Sequence, residues 1–235
     1  MQREQFALAT KSSSSLLSPL ERRVARSVVP RIPAWLGTHH LTISTLAWCA
    51  GLVVFGYLAR NDLRWLWASS LMIFMQYVTD FFDGKVGKYR DTGLVKWGFY
   101  MDHLLDFVFL CALLAGYAFI LPASSHVYLF LVLAVFGGFM VNSFLAFTAT
   151  GRFHISHAGL GPTEFRIALV IVNALLVFYG TRRMAKTLPF VAAVGFVVLC
   201  ALVYKTQREL WQRDMEHKRH AERARAVVIA QREAA

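Results

Sequence analysis

The sequence predicts an all-α integral membrane protein. Six transmembrane helices are preceded by an amphipathic surface helix and followed by a polar helix. Three observations predict it. Of 235 residues, 57% are hydrophobic and only 17% charged, whereas a soluble domain carries about 25% charged residues. The mean hydropathy is +0.47. The apolar residues also gather in six runs, most of them near the ~20 residues a helix needs to cross the hydrocarbon core. Such a composition excludes a disordered chain, a collagen and a disulfide-stapled module. The three cysteines, Cys49, Cys111 and Cys200, sit singly in apolar runs without metal-ligand spacing. They are expected to be buried thiols acting as small hydrophobes.

Residues 1–40 form a cytosolic N-terminal segment. Its first part has a flexible Ser12–Ser15 run and no apolar stretch of the kind a cleavable signal needs. From Ser18 a helix is expected, with Ser18 capping and Pro19 in the first turn. Leu20, Val24 and Val28 then make an apolar stripe opposite Arg22, Arg23 and Arg26, the pattern of a helix lying on an anionic membrane surface. Residues 41–205 form the membrane domain, with spans at about 41–60, 65–83, 97–121, 126–149, 165–181 and 187–205. Residues 206–235 are rich in Ala, Arg and Glu and read as a basic cytosolic helix.

Lys and Arg set the topology. With both termini in the cytosol, 20 of the 25 basic residues are inside, as the positive-inside rule favours. Only Arg60, Arg64, Arg182, Arg183 and Lys186 are outside. The net charge of +11 therefore meets anionic lipid and calls for no nucleic acid.

Asp80 and Asp83 close the second span at i,i+3 and share one helix face. Asp102 and Asp106 open the third span at i,i+4, also on one face, with Gly98 a turn earlier. A loop joins these antiparallel neighbours, so four carboxylates meet near the cytosolic side of the bilayer. Each aspartate in a membrane helix costs ~2.5–3.5 kcal/mol, and four total on the order of 10 kcal/mol without compensation. A positive group must lie among them. Oxygen-only ligands suit Mg²⁺ or Mn²⁺, and four carboxylates are enough for two ions. Two metals held this way stabilise the attacking and leaving oxygens of a phosphoryl displacement.

The stretch Asp80-Phe-Phe-Asp83-Gly84-Lys85-Val86-Gly87-Lys88, continuing to Gly98-Phe-Tyr-Met-Asp102-His-Leu-Leu-Asp106, resembles the signature of the CDP-alcohol phosphatidyltransferase family. That signature is D-x-x-D-G-x-x-A-R, a spacer, then G-x-x-x-D-x-x-x-D, and its six fixed Asp and Gly positions are all present. The resemblance implies six membrane helices, a cytosol-facing active site and a homodimer, in the setting of a bacterial inner membrane. It implies that Asp80 and Asp102 bridge two metals, that Asp83 completes one ion and Asp106 the other, and that Asp106 is also the general base. Gly84, Gly87, Lys88 and Gly98 would meet the CDP-linked donor. The usual Ala-Arg is here Gly87-Lys88, and the spacer is one residue longer. Lysine keeps the charge but loses the bidentate fork. Thr38-His39-His40-Leu41-Thr42 stands where the family often has Pro-Asn-x-Leu-Thr, so Thr42 matches and His39 does not.

The segment between spans four and five holds Arg152, His154, Thr163, Glu164 and Arg166. Thr163 suits an N-cap, with Glu164 favourable at the positive helix end. Arg152, His154 and Arg166 are candidates to face the aspartates and hold donor or acceptor. Asn142, Ser143 and Asn173 are expected to hydrogen-bond between helices. His103 lies about 100° around the helix from Asp102 and is expected to be a bystander.

The activity implied is transfer of a phosphatidyl group from a CDP-linked donor, CDP-diacylglycerol, to the hydroxyl of an alcohol, releasing CMP. The alternative within the family is a CDP-choline or CDP-ethanolamine:diacylglycerol phosphotransferase. A UbiA-type prenyltransferase would place its Asp motifs farther apart than the 27 residues seen here. A divalent-cation transporter would line several spans with polar residues, and the fourth and sixth show few.

Overall fold

The computed structural model describes residues 18–150 and 162–233. Seven α-helices account for most of them: α1 Ser18–Val28, α2 Thr38–Leu58, α3 Leu66–Tyr89, α4 Val95–Ile120, α5 His126–Thr150, α6 Pro162–Tyr179 and α7 Arg182–Glu233. Short 3-10 turns lie at Val29–Arg31, Leu63–Trp65 and Ala123–Ser125. No strand occurs among the described residues.

Among the described residues, four helical segments are long and apolar enough to cross a membrane: Thr38–Leu58, Val95–Ile120, Ala123–Thr150 and Arg182–Arg223. The chain is a multi-pass membrane protein. Its outer faces carry large apolar side chains, with Phe178 72% and Phe190 73% exposed, the reverse of a water-soluble surface. Cys49 is buried as expected, but Cys111 is only partly covered and Cys200 is exposed. Cys200 sits on an apolar outer face of α7 beside exposed Val197 and Val203, so its surroundings are oily without being internal.

α2 packs along both α3 and α4, α3 against α6, and α5 against α4 and α7. The α2–α4 contact depends on two glycines. A Cβ on Gly56 would lie 2.4 Å from the Cα of Gly116, so the two backbones touch directly. Gly56→Ala isolates this effect. Helix propensity alone favours alanine by about 0.5–1 kcal/mol. Overpacking against backbone costs about 1–3 kcal/mol and should win. Thermal unfolding in detergent is expected to show a net loss of stability, and a gain would mean that the helices separate freely here.

The α3–α4 hairpin sets up the site. Asp91 (φ 48°) and Gly93 (φ 69°) adopt left-handed backbone between the helices, which turns the chain back within five residues. The sequence places the end of the second span at Asp83, followed by a loop. The helix instead continues to Tyr89, with the Arg90 N–H donating to the Val86 carbonyl at 2.9 Å. Packing explains the extension. Val86 is fully buried against Val29 and Leu41. The Arg90 guanidinium donates to the carbonyls of Ile32 (2.7 Å), Pro33 (3.0 Å) and Leu36 (2.9 Å). The segment leading into α2 is thereby fastened to the end of α3. At the other end of the chain, α7 is one helix of 52 residues, about 80 Å long. The last apolar run and the polar extension are continuous, because the Ala, Arg and Glu residues that follow the apolar run are good helix formers.

Candidate active site between α3, α4 and α6

Gln76, Asp80 and Asp83 fall at i, i+4 and i+7 on α3, one face of the helix. Asp102 lies about two turns and Asp106 about three turns into α4, and Arg166 about one turn into α6. Arg166 joins the three helices. Its Nε donates to Gln76 Oε1 at 2.6 Å, and its Nη2 donates to Asp80 Oδ2 at 2.9 Å and Asp106 Oδ1 at 3.5 Å. The guanidinium carbon stands 5.9 Å from the centroid of the Tyr77 ring. Arg166 and Gln76 are buried, the latter only 1% exposed. A charge is stable there only with its donors satisfied, and the fork reaches one amide oxygen and two carboxylates at once. Asp80 and Asp106 therefore flank a position that takes positive charge.

Asp83 is held from α2. Thr42 Oγ1 donates to Asp83 Oδ2 at 2.9 Å, with the Thr38 carbonyl 3.0 Å away as its other acceptor. The backbone N–H of Gly84 donates to Asp83 Oδ1. The three other aspartates are more open, with side-chain exposures of 22% for Asp80, 19% for Asp102 and 40% for Asp106. His103 packs its ring against Phe99 and Phe144, and its Nδ1 lies 2.6 Å from the Phe99 carbonyl and 3.7 Å from Asp102.

The motif glycines divide into two kinds. A Cβ on Gly84 or Gly98 would meet nothing within 4 Å, so both border open space. A Cβ on Gly87 would lie 2.9 Å from Thr38 Oγ1. Gly87 thus lets α3 pack against the start of α2. Lys88 is exposed near the end of α3. Arg152 and His154 lie outside the described residues.

Two contacts lie outside what the sequence analysis singled out. Glu21 of α1 accepts from Thr163 Oγ1 at 2.8 Å and from Tyr77 Oη at 3.3 Å, so the N-terminal helix is pinned beside the site. Thr163, expected as an N-cap, spends its hydroxyl on this link. Gln76 is the second. Its position four residues before Asp80 was the available clue, but a glutamine in an apolar run does not name its partner. Below the site, Asn173 is fully buried, accepts from Tyr117 Oη at 2.8 Å and donates to Ser70 Oγ at 3.0 Å, the interhelical role expected of it.

A family model described as CDP-alcohol phosphatidyltransferase matches residues 40–204, most of the chain and all of the site just described. The chain belongs to the CDP-alcohol phosphatidyltransferase family. Membership supports transferase activity, with phosphatidyl transfer from a CDP-alcohol, and a part in phospholipid synthesis. No curated protein and no solved structure matches the chain.

The family is generally dependent on divalent metal. Among the described residues, no three His, Cys, Asp or Glu side chains converge as a metal-binding group. The donor chemistry nevertheless fits such an ion. All four acids are hard oxygen donors, two of them already flank a cationic group, and Gly84 and Gly98 leave space beside them.

Proposed function

We propose that the chain transfers the phosphatidyl group of CDP-diacylglycerol to the hydroxyl of a small polar alcohol at the cytosolic face of the bilayer. The observation that supports it best is the pair Asp80 and Asp106, from different helices, flanking one cationic nitrogen beside the open ground at Gly84 and Gly98. In the reaction, the acceptor oxygen bonds to the phosphorus that bears diacylglycerol. The bond from that phosphorus to the bridging oxygen breaks, and CMP leaves with the electron pair. Asp106, the most exposed of the three open carboxylates, takes the acceptor's proton. Asp80, Asp83, Asp102 and Asp106 would hold Mg²⁺ or Mn²⁺, two ions in this reading, and bound metal supplies charge stabilisation for the oxygens of the displacement. Thr42 orients Asp83, and Arg166 fixes Asp80 and Asp106 relative to each other. Lys88 and Gly84 would meet the donor's CDP part.

The same proposal counts α3 and α6 as spans. Their polar residues Gln76 and Asn173 are turned inward, while Leu71, Phe74, Ile171 and Phe178 are exposed. That pattern suits helices with one face in lipid and the other on a polar interior. Helix α1 exposes Val24, Val28, Arg23 and Arg26, as a helix on an anionic bilayer would. A homodimer is carried over from the family.

The test is CMP release by detergent-solubilised protein given CDP-diacylglycerol, a panel of labelled alcohols and Mg²⁺ or Mn²⁺. One acceptor is expected to yield labelled lipid, with activity lost in EDTA and regained on adding metal. Full turnover in chelator would sink the metal reading. CMP from CDP-choline and diacylglycerol, and none from CDP-diacylglycerol, would reverse donor and acceptor.

A further inference from the structure

A second cavity lies away from the carboxylates, between α4, α5, α6 and α7. Its volume is about 340 Å³, at the lower end of the ~300–1,000 Å³ typical of ligand sites. Leu113, Val132, Leu176 and Val191 are among its largely apolar walls. Tyr179, Arg183 and Thr187 border it where α6 passes into α7. From Arg166 to Tyr179 the helix rises about 20 Å, so this border is at the opposite end of the bundle from Asp80 and Asp106.

Charge at that end is one-sided. The five basic residues that the topology leaves outside are all in its connecting segments or the first turns beside them: Arg60, Arg64, Arg182, Arg183 and Lys186. Two of these segments and the last turn of α4 meet at one recess lined by Arg60, Phe119 and Thr181. Asp62 is the one acid in the segments 59–65, 121–125 and 180–186, and its carboxylate already accepts the Arg64 N–H at 2.9 Å. The Arg183 guanidinium rests over the Tyr179 ring, 4.7 Å from its centroid, which holds the charge at the cavity's edge. An oily cavity with a cationic rim matches an amphiphile with one anionic end.

We propose that this cavity binds an acyl chain of an anionic phospholipid, whose phosphate meets Arg183 with Arg182 and Lys186 beside it. The bound lipid is distinct from the transferred one. The cavity holds roughly ten methylenes if each occupies about the ~30 Å³ of a liquid water, enough for most of one chain. A zwitterionic headgroup would bring its own cation to a rim that is already positive, so the site discriminates by charge.

The experiment uses the full chain in detergent micelles containing equal phosphatidylglycerol and phosphatidylcholine of the same acyl composition. Native mass spectrometry counts the lipid retained, and a diazirine at the acyl tip maps where the chain sits. Phosphatidylglycerol is expected to be retained about tenfold over phosphatidylcholine, with cross-links on peptides containing Leu113, Val132 or Leu176. The triple variant Arg182→Gln, Arg183→Gln, Lys186→Gln changes charge alone and should bring the ratio close to one. Val191→Trp narrows the cavity and should lower retention of both lipids. Equal retention by the unaltered protein, or a ratio unmoved by the triple variant, overturns the proposal. So do cross-links confined to residues 80–106, which would place the lipid in the transfer site. Asp106→Asn serves as the control: it should lower turnover sharply and leave this retention unchanged.

Discussion

Asp106→Asn is expected to lower turnover by at least ~100-fold, the lower end of general-base catalysis, while donor binding is largely kept. An alcohol is a poor nucleophile until its proton leaves, and the group that takes the proton must be accessible to it. Asp106 has the side chain for this, 40% exposed and on the same face as Asp102. Arg166 Nη2 stands 3.5 Å from its Oδ1. The asparagine amide keeps one oxygen that can accept from Arg166, so the arrangement of α4 and α6 should persist. It cannot take a proton. The measurement is paired, with turnover and CDP-diacylglycerol binding read on one detergent preparation. Near-normal turnover would move the base elsewhere. Binding lost together with turnover would make Asp106 a ligand before it is a base. His103, whose ring packs against Phe99 and Phe144 with Nδ1 at the Phe99 carbonyl, and His154 would be the next residues to test.

Much of this site was legible because it rests on helical period. Asp80 with Asp83, and Asp102 with Asp106, share faces by spacing alone, and a short connection makes α3 and α4 antiparallel neighbours. Four of the apolar runs were legible as helices long enough to cross a bilayer, because such a run has few other uses. Three features were not. The apolar run ends at about Asp83, whereas α3 continues to Tyr89. The burial of Val86 against Val29 and Leu41, and the grip of Arg90 on the carbonyls of residues 32–36, are tertiary effects that override local propensity. Glu21 is the sole acid among the arginines of α1, and nothing in its neighbourhood says that it reaches Tyr77 and Thr163. Arg166 was visible as a basic residue at the head of a span. Its partners lie 60 to 90 residues away in sequence, and one sequence does not pair them.

Arg166 carries the other large expectation. Arg166→Ala should cost about 3 kcal/mol of stability, the lower end of the 3–5 kcal/mol for breaking a buried ion pair. The lower end applies because Asp80 is 22% exposed and water screens part of its charge. Three losses add up. Gln76 Oε1, in a side chain 1% exposed, loses a donor at 2.6 Å. Asp80 loses its partner at 2.9 Å, and Asp106 loses the cation that it shares with Asp80. Arg166→Lys separates charge from geometry. Lysine restores the positive charge as a single point, but its ammonium has no planar fork to reach an amide oxygen and two carboxylates from separate nitrogens. Stability should therefore rank arginine, then lysine, then alanine, with turnover falling at least ~10-fold in both variants because Asp80 and Asp106 lose their common anchor. Thermal unfolding in EDTA reads the first quantity and CMP release the second. Adding Mg²⁺ should recover more stability in Arg166→Ala than in the unaltered protein, since a divalent cation supplies the positive charge that the two carboxylates lack. Equal stability of all three proteins would show that the buried fork is incidental to the fold. Equal turnover would remove Arg166 from the site and leave the aspartates positioned by α3 and α4 alone.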